Sequence, residues 1–378
     1  MISKIAILLS IGFLMPGRVS PNNCTSEGST RKIPTFRNPI AEEQVSDPYV
    51  YYHRDHHYYW TFTDGLDIVL KRSQHLTNLS RAKSATVFDN QESSSLFNGQ
   101  LCRGVNLLGP EIHYIENKWY IYFSMEVHNG THIVQGYRNY VIEALTKNPL
   151  GSYGTPHKLS SEDIETYSTH GTVLQHPNGF FYFIWSGKSH FDSESIDLYM
   201  SMMESPIQLS GYRILLRRPS VDWEMMSGAG AILESPQVFM NFGRIYLVFS
   251  ASNSSDADNC LGISSIEEWK HPFVAENWFH NEHSCIFARN DDEGVYGVGK
   301  VSITTSPDGK ESWMIYRGTD TPGGESTLRA ERFGWRLDGF PDFPSPAGLK
   351  LEHISPSACI FSEAYQHLCY KGTALERN

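Results

Sequence analysis

The sequence predicts an all-β fold, and three observations support this prediction. The 378 residues include 20 Tyr, 20 Phe and 8 Trp, and aromatic side chains favour strands. Gly and Pro are frequent, at 30 and 19 residues, as the turns between many short strands require. A pattern of two short strands joined by a turn also recurs along the chain. With 40% hydrophobic residues the chain can bury a large core, which excludes a disordered protein.

The recurring pattern has five copies. In each copy a polar residue opens a short strand, a turn follows, and an aromatic-rich strand completes the pair. The polar residues that open the copies are Asp47, Glu111, His170, Glu234 and Lys300. They are separated by 64, 59, 64 and 66 residues. A near-equal period of this length, filled with short strands, predicts a five-bladed β-propeller with four-stranded blades.

Each predicted strand pair is joined by a turn of the kind found in β-hairpins. In chain order the pairs are 47–52 with 58–63, 111–115 with 119–124, 170–174 with 180–186, 234–239 with 244–250, and 300–304 with 312–316. Aromatic strands also alternate in β-sandwiches, but five near-equal copies favour the propeller. In a propeller the innermost strands surround one channel, so the five polar residues would converge on its axis. In a sandwich core the same charges would be costly.

The propeller is expected to span residues 34–346 as a single domain, with residues 347–378 as an extension that packs on it. Residues 1–20 are predicted to be a secretion signal, because Lys4 precedes an apolar run over residues 5–15 and turn residues end that run. The run is too short to span a membrane. A buried N-terminal strand is the alternative interpretation.

The cysteines agree with a secreted protein. Their number is even and they form no Cys-x-x-Cys motif, which favours disulfides over zinc. Cys359 and Cys369 are the simplest pair to propose, although six cysteines allow 15 pairings and the sequence does not select one. Glycosylation motifs are present at Asn23, Asn78, Asn129 and Asn253.

The charge excludes some partners. The chain carries 42 acidic and 31 basic residues, a net charge of −11, and has no cluster of Lys and Arg. This composition argues against nucleic-acid binding and, with no second apolar run, against a membrane protein. It suits a neutral, polar substrate that stacks on aromatic side chains. Carbohydrates are the most common substrates of this kind. A monomer is expected.

Two of the radial carboxylates have the pattern that glycoside hydrolysis requires. Asp47 and Glu234 would face each other across the channel from blades one and four, with space for a water molecule between them. That arrangement predicts inversion at the anomeric carbon, with Asp47 as general base and Glu234 as general acid, its pKa raised by burial. By residue type alone, Glu111 is an equally good candidate for either role, and the alternative for Glu111 is a structural carboxylate.

Seven short segments follow one another in a specific order and spacing: Asn38-Pro39, Asp47-Pro48, Gly109-Pro110-Glu111-Ile112-His113, Glu234-Ser235-Pro236, Asn259-Cys260-Leu261-Gly262, Arg329-Ala330-Glu331-Arg332-Phe333 and Asp338-Gly339-Phe340-Pro341. In these segments the sequence resembles glycoside hydrolase family 43 over roughly residues 34–346. The resemblance implies an inverting hydrolase of arabinose- or xylose-containing plant polysaccharides, similar to α-L-arabinofuranosidases. Glu111, His113 and Arg329 are the candidate substrate-binding residues. We expect His113 to face away from Glu111 and pack, and Arg329 to meet a carboxylate near the axis.

Three positions depart from the family pattern. His170 stands where the family has an Asp that orients the acid and raises its pKa. Lys300 stands where the family has an axial His near a cation such as calcium, and Leu108 replaces a Trp. Because two cations on one axis repel each other, we expect no calcium and no other cofactor or metal. These changes leave two interpretations: a working hydrolase in which His170 orients Glu234, or a catalytically impaired propeller that binds glycans or a protein partner.

Overall fold

The computed structural model describes residues 33–41, 43–89, 103–128, 133–160, 166–190, 192–225, 231–252, 256–357, 359–362 and 365–369. Residues from Pro34 onwards belong to one compact unit, Pro34–Asn378. The predicted secretion signal, Cys24, Cys102 and the glycosylation motifs at Asn23, Asn129 and Asn253 lie outside the described residues. Asn78 is exposed at the end of a short 3-10 helix, Leu76–Asn78.

Five four-stranded antiparallel sheets form the blades of a β-propeller, which confirms the predicted fold. Blade 1 contains β2 (Tyr49–His53), β3 (His57–Asp64), β4 (Asp67–Ser73) and β5 (Lys83–Phe88). Blade 2 contains β6 (Arg103–Ile115), β7 (Lys118–His128), β8 (Ile133–Glu143) and β9 (His157–Leu159). Blade 3 contains β10 (Ser168–Gln175), β11 (Phe181–Gly187), β12 (Asp197–Ser205) and β13 (Gln208–Arg217).

The last two blades follow the same order. Blade 4 contains β14 (Leu233–Asn241), β15 (Arg244–Ala251), β16 (Cys260–Glu267) and β17 (Phe279–His280), and blade 5 contains β18 (Tyr296–Thr305), β19 (Ser312–Thr319), β20 (Thr327–Trp335) and β21 (Pro341–Asp342). Two further 3-10 helices span Asp222–Glu224 and Ala275–Asn277. The chain extensions form β1 (Thr35–Phe36) with β22 (His353–Ile354), and β23 (Cys359–Ser362) with β24 (Tyr365–Cys369).

The hydrophobic core is divided among the interfaces between neighbouring blades. Five clusters of buried side chains join blades 1 and 2, 2 and 3, 3 and 4, 4 and 5, and 5 and 1. The last of these contains Trp60 of blade 1 and Trp313 of blade 5, both almost fully buried. Burying each such side chain contributes on the order of 1.5–3 kcal/mol. The aromatic second strands therefore hold the ring together from blade to blade.

Polar contacts complete the closure of the ring between blades 5 and 1. The N-terminal segment runs beside β20, where Ile40 N–H donates to the Leu328 carbonyl at 2.8 Å. The side-chain amide of Asn38 both donates to and accepts from the backbone of Ala330. Tyr58 Oη also donates to the Thr305 carbonyl at 2.8 Å. Among the described strands none is exchanged between the first and last blades, so each blade is continuous in sequence.

The cysteines and the C-terminal extension can be placed in part. A disulfide joins Cys260 on β16 to Cys285 in the loop after β17. Cys359 and Cys369 are register partners across β23 and β24, and their side chains lie outside the described part of the chain. Ser357 Oγ donates to Asp308 of blade 5 at 2.7 Å. Within the described residues no helix has the length and hydropathy to cross a membrane.

Candidate active site

The inner strands of blades 2 to 5 share a local irregularity that aims side chains at the axis. Each strand shifts register against its neighbour, as a β-bulge does. Each of these four strands has one residue with a positive φ at its axial shift: Gly109, His170, Ser235 and Lys300, at 54°, 49°, 52° and 49°. A residue other than Gly in this conformation costs roughly 1–3 kcal/mol, and such residues cluster at functional sites.

The bulges define two layers of residues around the axis. The first layer consists of Asp47, Gly109, His170, Ser235 and Lys300. The second layer lies two residues farther along each inner strand and consists of Tyr49, Glu111, Thr172, Gln237 and Ser302. Most of these side chains border one small cavity on the axis.

The predicted alignment, in which the opening polar residue of each copy lies at the same radial position, is wrong for two of the five copies. Asp47, His170 and Lys300 occupy the expected radial positions. Glu111, however, belongs to the second layer, and Glu234 precedes the first-layer residue Ser235. The cause is the bulge itself, because a residue inserted into a strand interrupts the alternation of side chains on which the alignment depended.

Asp47 is the centre of a buried ionic cluster. Its Oδ1 accepts a hydrogen bond from Lys300 Nζ at 2.5 Å and lies 3.1 Å from His170 Nε2. Its Oδ2 accepts from Ser46 Oγ at 2.8 Å and from the Gly109 N–H at 3.3 Å. A carboxylate offers about four lone-pair sites, so these contacts engage all of them.

The charge state of Asp47 follows from these neighbours. Burial by itself would raise the pKa of Asp47. The charge of Lys300 and, after it, that of His170 outweigh burial and hold the pKa of Asp47 well below its usual value of 3.8. Asp47 is therefore ionised at neutral pH, as a general base must be.

Glu234 lies on the other side of the His170 ring. Its Oε2 is 3.9 Å from His170 Nδ1, and its Oε1 has no hydrogen-bond partner among the described residues. One imidazole thus separates Glu234 from Asp47. With the two contact distances this sets an upper limit of about 9 Å on the separation of the carboxylates, a limit that includes both the roughly 5–5.5 Å of retaining and much of the 6.5–9.5 Å range of inverting glycosidases. The roles of Asp47 and Glu234 as general base and general acid stay predictions.

Glu111 is contacted by neutral side chains in the second layer. Its Oε1 accepts a hydrogen bond from Gln237 Nε2, and its Oε2 lies 3.0 Å from His113 Nε2. Burial raises the pKa of Glu111 well above its usual value and lowers the pKa of His113 to about 3. The adjacent cavity on the axis has a volume of about 20 Å³ and is bordered by both Glu111 and Asp47. The contact between Glu111 and substrate stays a prediction.

Two further expectations are corrected. His113 was expected to face away from Glu111, but residues two apart on a strand share a face, and the two side chains are in contact. Arg329 was expected near the axis. It is instead completely buried within blade 5, where it donates to Asp320 and to the Ala347 carbonyl. Both side chains are buried, and the contacts predicted between them and a sugar stay predictions.

The second strands supply groups that the sequence analysis did not identify. At one register position β7, β11 and β15 carry Ser124, Ser186 and Ser250, whereas β19 carries Arg317. Ser124 Oγ accepts the N–H of His170 at 2.8 Å, and Ser250 Oγ accepts that of Lys300 at 2.7 Å. These hydrogen bonds hold His170 and Lys300, two of the three strained residues of the first layer. The signal was available in the sequence, since the aromatic run of the second strand is followed by Ser in blades 2 to 4 and by Arg in blade 5.

Arg317 connects the ionic cluster to an adjoining cleft. Burial lowers the pKa of Arg317, and the charges of Asp47 and Glu234 oppose that shift. The guanidinium therefore lies within electrostatic reach of both carboxylates. The cleft has a volume of about 180 Å³, and its polar lining includes Gln44, Asp256, Arg317, Thr319 and Ser326. Its small size suits one sugar ring, since ligand pockets more often measure roughly 300–1,000 Å³.

The first layer does not fit the axial cation that the family resemblance implies. Lys300 Nζ already contacts Asp47 Oδ1 and lies 3.2 Å from His170 Nε2, so a cationic group occupies this part of the axis. A metal ion beside it would be repelled in a poorly solvated channel. In the described part of the chain, no group of three or more His, Cys, Asp and Glu side chains is arranged to hold a metal.

Two carboxyl groups near each other, as Asp47 and Glu234 are beside the axis of this five-bladed propeller, are what most glycoside hydrolases require. Residues 36–341 match the glycosyl hydrolases family 43, which is most of the chain. The protein belongs to this family of O-glycosyl hydrolases.

Individual relatives agree with that assignment. The chain is 28% identical over 370 residues to an extracellular exo-alpha-(1->5)-L-arabinofuranosidase of Streptomyces avermitilis, covering 95% of this chain and 73% of the relative. It is 26% identical to a protein of the same description from Streptomyces chartreusis, covering 82% and 90%. The crystal structure of an alpha-L-arabinofuranosidase from Lactobacillus brevis superposes with a TM-score of 0.72, at 24% identity, over 84% of this chain and 98% of that one. At that identity the superposition shows the fold.

Proposed function

We propose that the protein is a secreted, monomeric, inverting glycoside hydrolase that removes single arabinofuranosyl or xylosyl residues from plant polysaccharides or oligosaccharides. The observation that carries the proposal is the pair Asp47 and Glu234, held on either side of the His170 ring within about 9 Å of each other. The names of the relatives support arabinose as the sugar and the extracellular space as the location. The small cleft beside Arg317 supports a single terminal ring.

In the proposed reaction the terminal sugar enters the cleft beside Arg317. Glu234 gives its proton to the glycosidic oxygen as the bond from that oxygen to the anomeric carbon breaks. A water molecule attacks the anomeric carbon from the opposite face and passes its proton to Asp47, so the configuration inverts. Ser46 is the one side-chain hydroxyl on Asp47 among the described residues, and rotation of this hydroxyl frees the lone pair that accepts the proton. A short movement would bring His170 Nδ1 into hydrogen-bond range of Glu234 and orient the acid.

Lys300 is proposed to supply the positive charge at the axis, so that the protein needs no calcium or other cofactor. Its ammonium contacts Asp47 directly and stabilises the ionised form. Activity should therefore be unchanged by a chelator. Isothermal titration with calcium should give no binding at the axis, and tight one-to-one binding that Asp47→Asn abolishes would contradict this proposal.

One observation favours a second function. All lone pairs of Asp47 are engaged by protein groups, and two of these groups are basic. If the Ser46 hydroxyl does not yield to water, Asp47 cannot act as a base. The protein would then bind glycans at the cleft, or bind a protein partner, without cleaving a glycosidic bond.

Turnover of aryl glycosides distinguishes the two functions. The purified protein should hydrolyse an aryl α-L-arabinofuranoside or an aryl β-xyloside. Glu234→Gln and Asp47→Asn should each reduce kcat by roughly 10²–10⁴-fold, the usual contribution of a general acid or base. Nuclear magnetic resonance of the first product formed should show the inverted anomer. No turnover by the wild type, together with a gain of activity in His170→Asp, would favour the non-catalytic function.

A further inference from the structure

A second pocket lies at the outer edge of blades 4 and 5, and we call it the rim pocket. Its volume is about 340 Å³, at the lower end of the range for ligand sites. It shares no lining residue with the cleft or the axial cavity. The residues that line it are Ile263, Phe279, Asn281, His283, Ile286, Arg336, Asp338, Phe340 and Pro341.

The apolar part of the rim pocket is aromatic. Phe279 leaves 53% of its surface exposed although it sits in a strand of blade 4. Its ring meets that of Phe340 edge to face, with 6.0 Å between the ring centroids. Aromatic faces of this kind stack against the C–H surface of sugar rings, and an exposed Phe with a fixed orientation makes such contacts at low entropic cost.

The polar part of the rim pocket has no net charge. Arg336 forms an ion pair with Asp338, and its guanidinium also lies 5.8 Å from the Phe340 ring centroid. Asn281 adds an amide whose Nδ2 donates to the Ser284 carbonyl at 2.9 Å. The pair and the amide together offer donors and acceptors, as neighbouring sugar hydroxyls require. Because the two charges cancel, a neutral ligand fits better than an anion or a cation.

The rim pocket is also held rigidly. The loop that carries Asn281 and His283 is tied to β16 by the disulfide between Cys260 and Cys285. Backbone hydrogen bonds from Asn281 to Ile263 and from Ile286 to Leu261 fix both ends of this loop. On the other wall, Tyr246 Oη donates to the carbonyl of Gly339 at 2.5 Å in the turn that carries Asp338. A preformed site loses little conformational entropy on binding.

We propose that the rim pocket is a second carbohydrate-binding site that takes a neutral sugar ring from the backbone of the polysaccharide. For the identity of that polysaccharide, this inference rests on the proposed function. A second contact on the same polymer raises the effective concentration of its other branches at the axis, which increases affinity for polymers and not for small substrates.

The test separates polymer binding from catalysis. In a Glu234→Gln background, Phe279→Ala and, independently, Arg336→Gln should weaken binding to soluble arabinan or arabinoxylan by about tenfold in affinity electrophoresis. Phe180→Ala is the matched control, because Phe180 lies in another blade and also has 53% of its surface exposed. With Glu234 intact, Phe279→Ala should leave kcat/KM for an aryl arabinoside unchanged.

The outcomes are distinguishable from those of the proposed function. The proposed binding site would be overturned if affinity for the polymer did not change in Phe279→Ala and Arg336→Gln. It would also be overturned if Phe180→Ala weakened binding equally, or if the wild type bound neither polymer. The protein could also bind the polymer through Phe279 and yet hydrolyse no aryl glycoside. That result would support the binding site in the rim pocket and contradict the proposed hydrolase activity. Circular dichroism of each variant shows that the compared proteins are folded.

Discussion

The two layers around the axis are equally buried and yet differ in charge. Asp47 of the first layer and Glu111 of the second leave 7% and 5% of their surfaces exposed. Two basic side chains contact Asp47 and lower its pKa, whereas neutral side chains contact Glu111 and its pKa is raised. The difference teaches that burial alone does not set the charge of an axial carboxylate. A cation within hydrogen-bond distance decides it.

The layers also differ in how their backbone is arranged. First-layer residues His170, Ser235 and Lys300 have a positive φ, and strand residues of the second layer such as Glu111 and Thr172 do not. The strained conformation points these side chains towards the axis, where those of His170 and Lys300 contact Asp47. Chemistry is therefore expected in the first layer, and support for it in the second.

The largest expected effect is on the free energy of unfolding when each of the two axial carboxyl groups is replaced by an amide. Asp47→Asn leaves Lys300 and His170 buried without an anion, and should lower the free energy of unfolding by roughly 3–5 kcal/mol. Glu111→Gln replaces a protonated carboxyl by an amide of the same shape and should cost about 1 kcal/mol. Urea denaturation at pH 7 measures both. Equal decreases in the free energy of unfolding in the two variants would show that Asp47 and Glu111 do not differ in charge.

The next effect concerns the contact between blades 2 and 3 in the first layer. A Cβ on Gly109 would lie 2.8 Å from His170 Cδ2, at a φ of 54° that favours glycine. Gly109→Ala should therefore cost roughly 2–3 kcal/mol and displace His170 from Asp47. Gly179→Ala is the control, because Gly179 also has a positive φ, 89°, and a Cβ added there would have no described atom within 4 Å. It should cost about 1 kcal/mol. If both variants unfold at the same urea concentration, close packing of Gly109 against His170 does not contribute to the free energy of unfolding.

The pH dependence of stability should have opposite signs in the two layers. The folded pKa of Glu111 is raised, so its contribution is complete below its usual value of 4.5 and is lost as the pH rises towards the folded pKa. The folded pKa of Asp47 is lowered, so its contribution is complete above 3.8 and is lost as the pH falls. Each change is limited to about 1.4 kcal/mol per pH unit. Relative to wild type, Glu111→Gln should thus be most destabilised in acid and Asp47→Asn at neutral pH.

The smallest expected effect tests the serines that support the first layer. Ser124 Oγ accepts the N–H of His170, and its removal leaves a buried donor unpaired at a cost of about 1–2 kcal/mol. Ser186 occupies the same register position in blade 3, and its Oγ is buried without a hydrogen-bond partner among the described residues. Ser186→Ala should be close to neutral. Thermal unfolding of the two alanine variants, measured side by side, should give the lower Tm for Ser124→Ala, and the reverse order would contradict this assignment.

The sequence predicted the fold because its evidence is repeated five times. The aromatic second strands and the turns before them identify the blades, and each blade needs only local pairing to form. The positions of Asp47, His170 and Lys300 could be predicted for the same reason. The register at Glu111 and Glu234 could not, because an inserted bulge residue leaves no clear trace in hydrophobic periodicity.

Contacts between residues on opposite sides of the ring closure could not be predicted from the sequence either. The ion pair between Asp47 and Lys300 joins residues from the first and last blades, and its geometry depends on the positive φ of Lys300. The burial of Arg329 depends on Asp320 and on the C-terminal extension, which no repeat describes. Arg317 was predictable from its departure from the Ser of the other blades.

The continuity of every blade in sequence has a consequence for biosynthesis. Since the described strands show no exchange between the first and last blades, each blade can form in turn as the chain leaves the ribosome. Asp47 is made early, but the amine that neutralises it is 253 residues away and arrives with the last blade. Until then Asp47 lacks its lysine partner and blade 1 presents an uncovered apolar edge. The ion pair thus forms only in a completed chain, and a product that ends before blade 5 has no means of closing the ring.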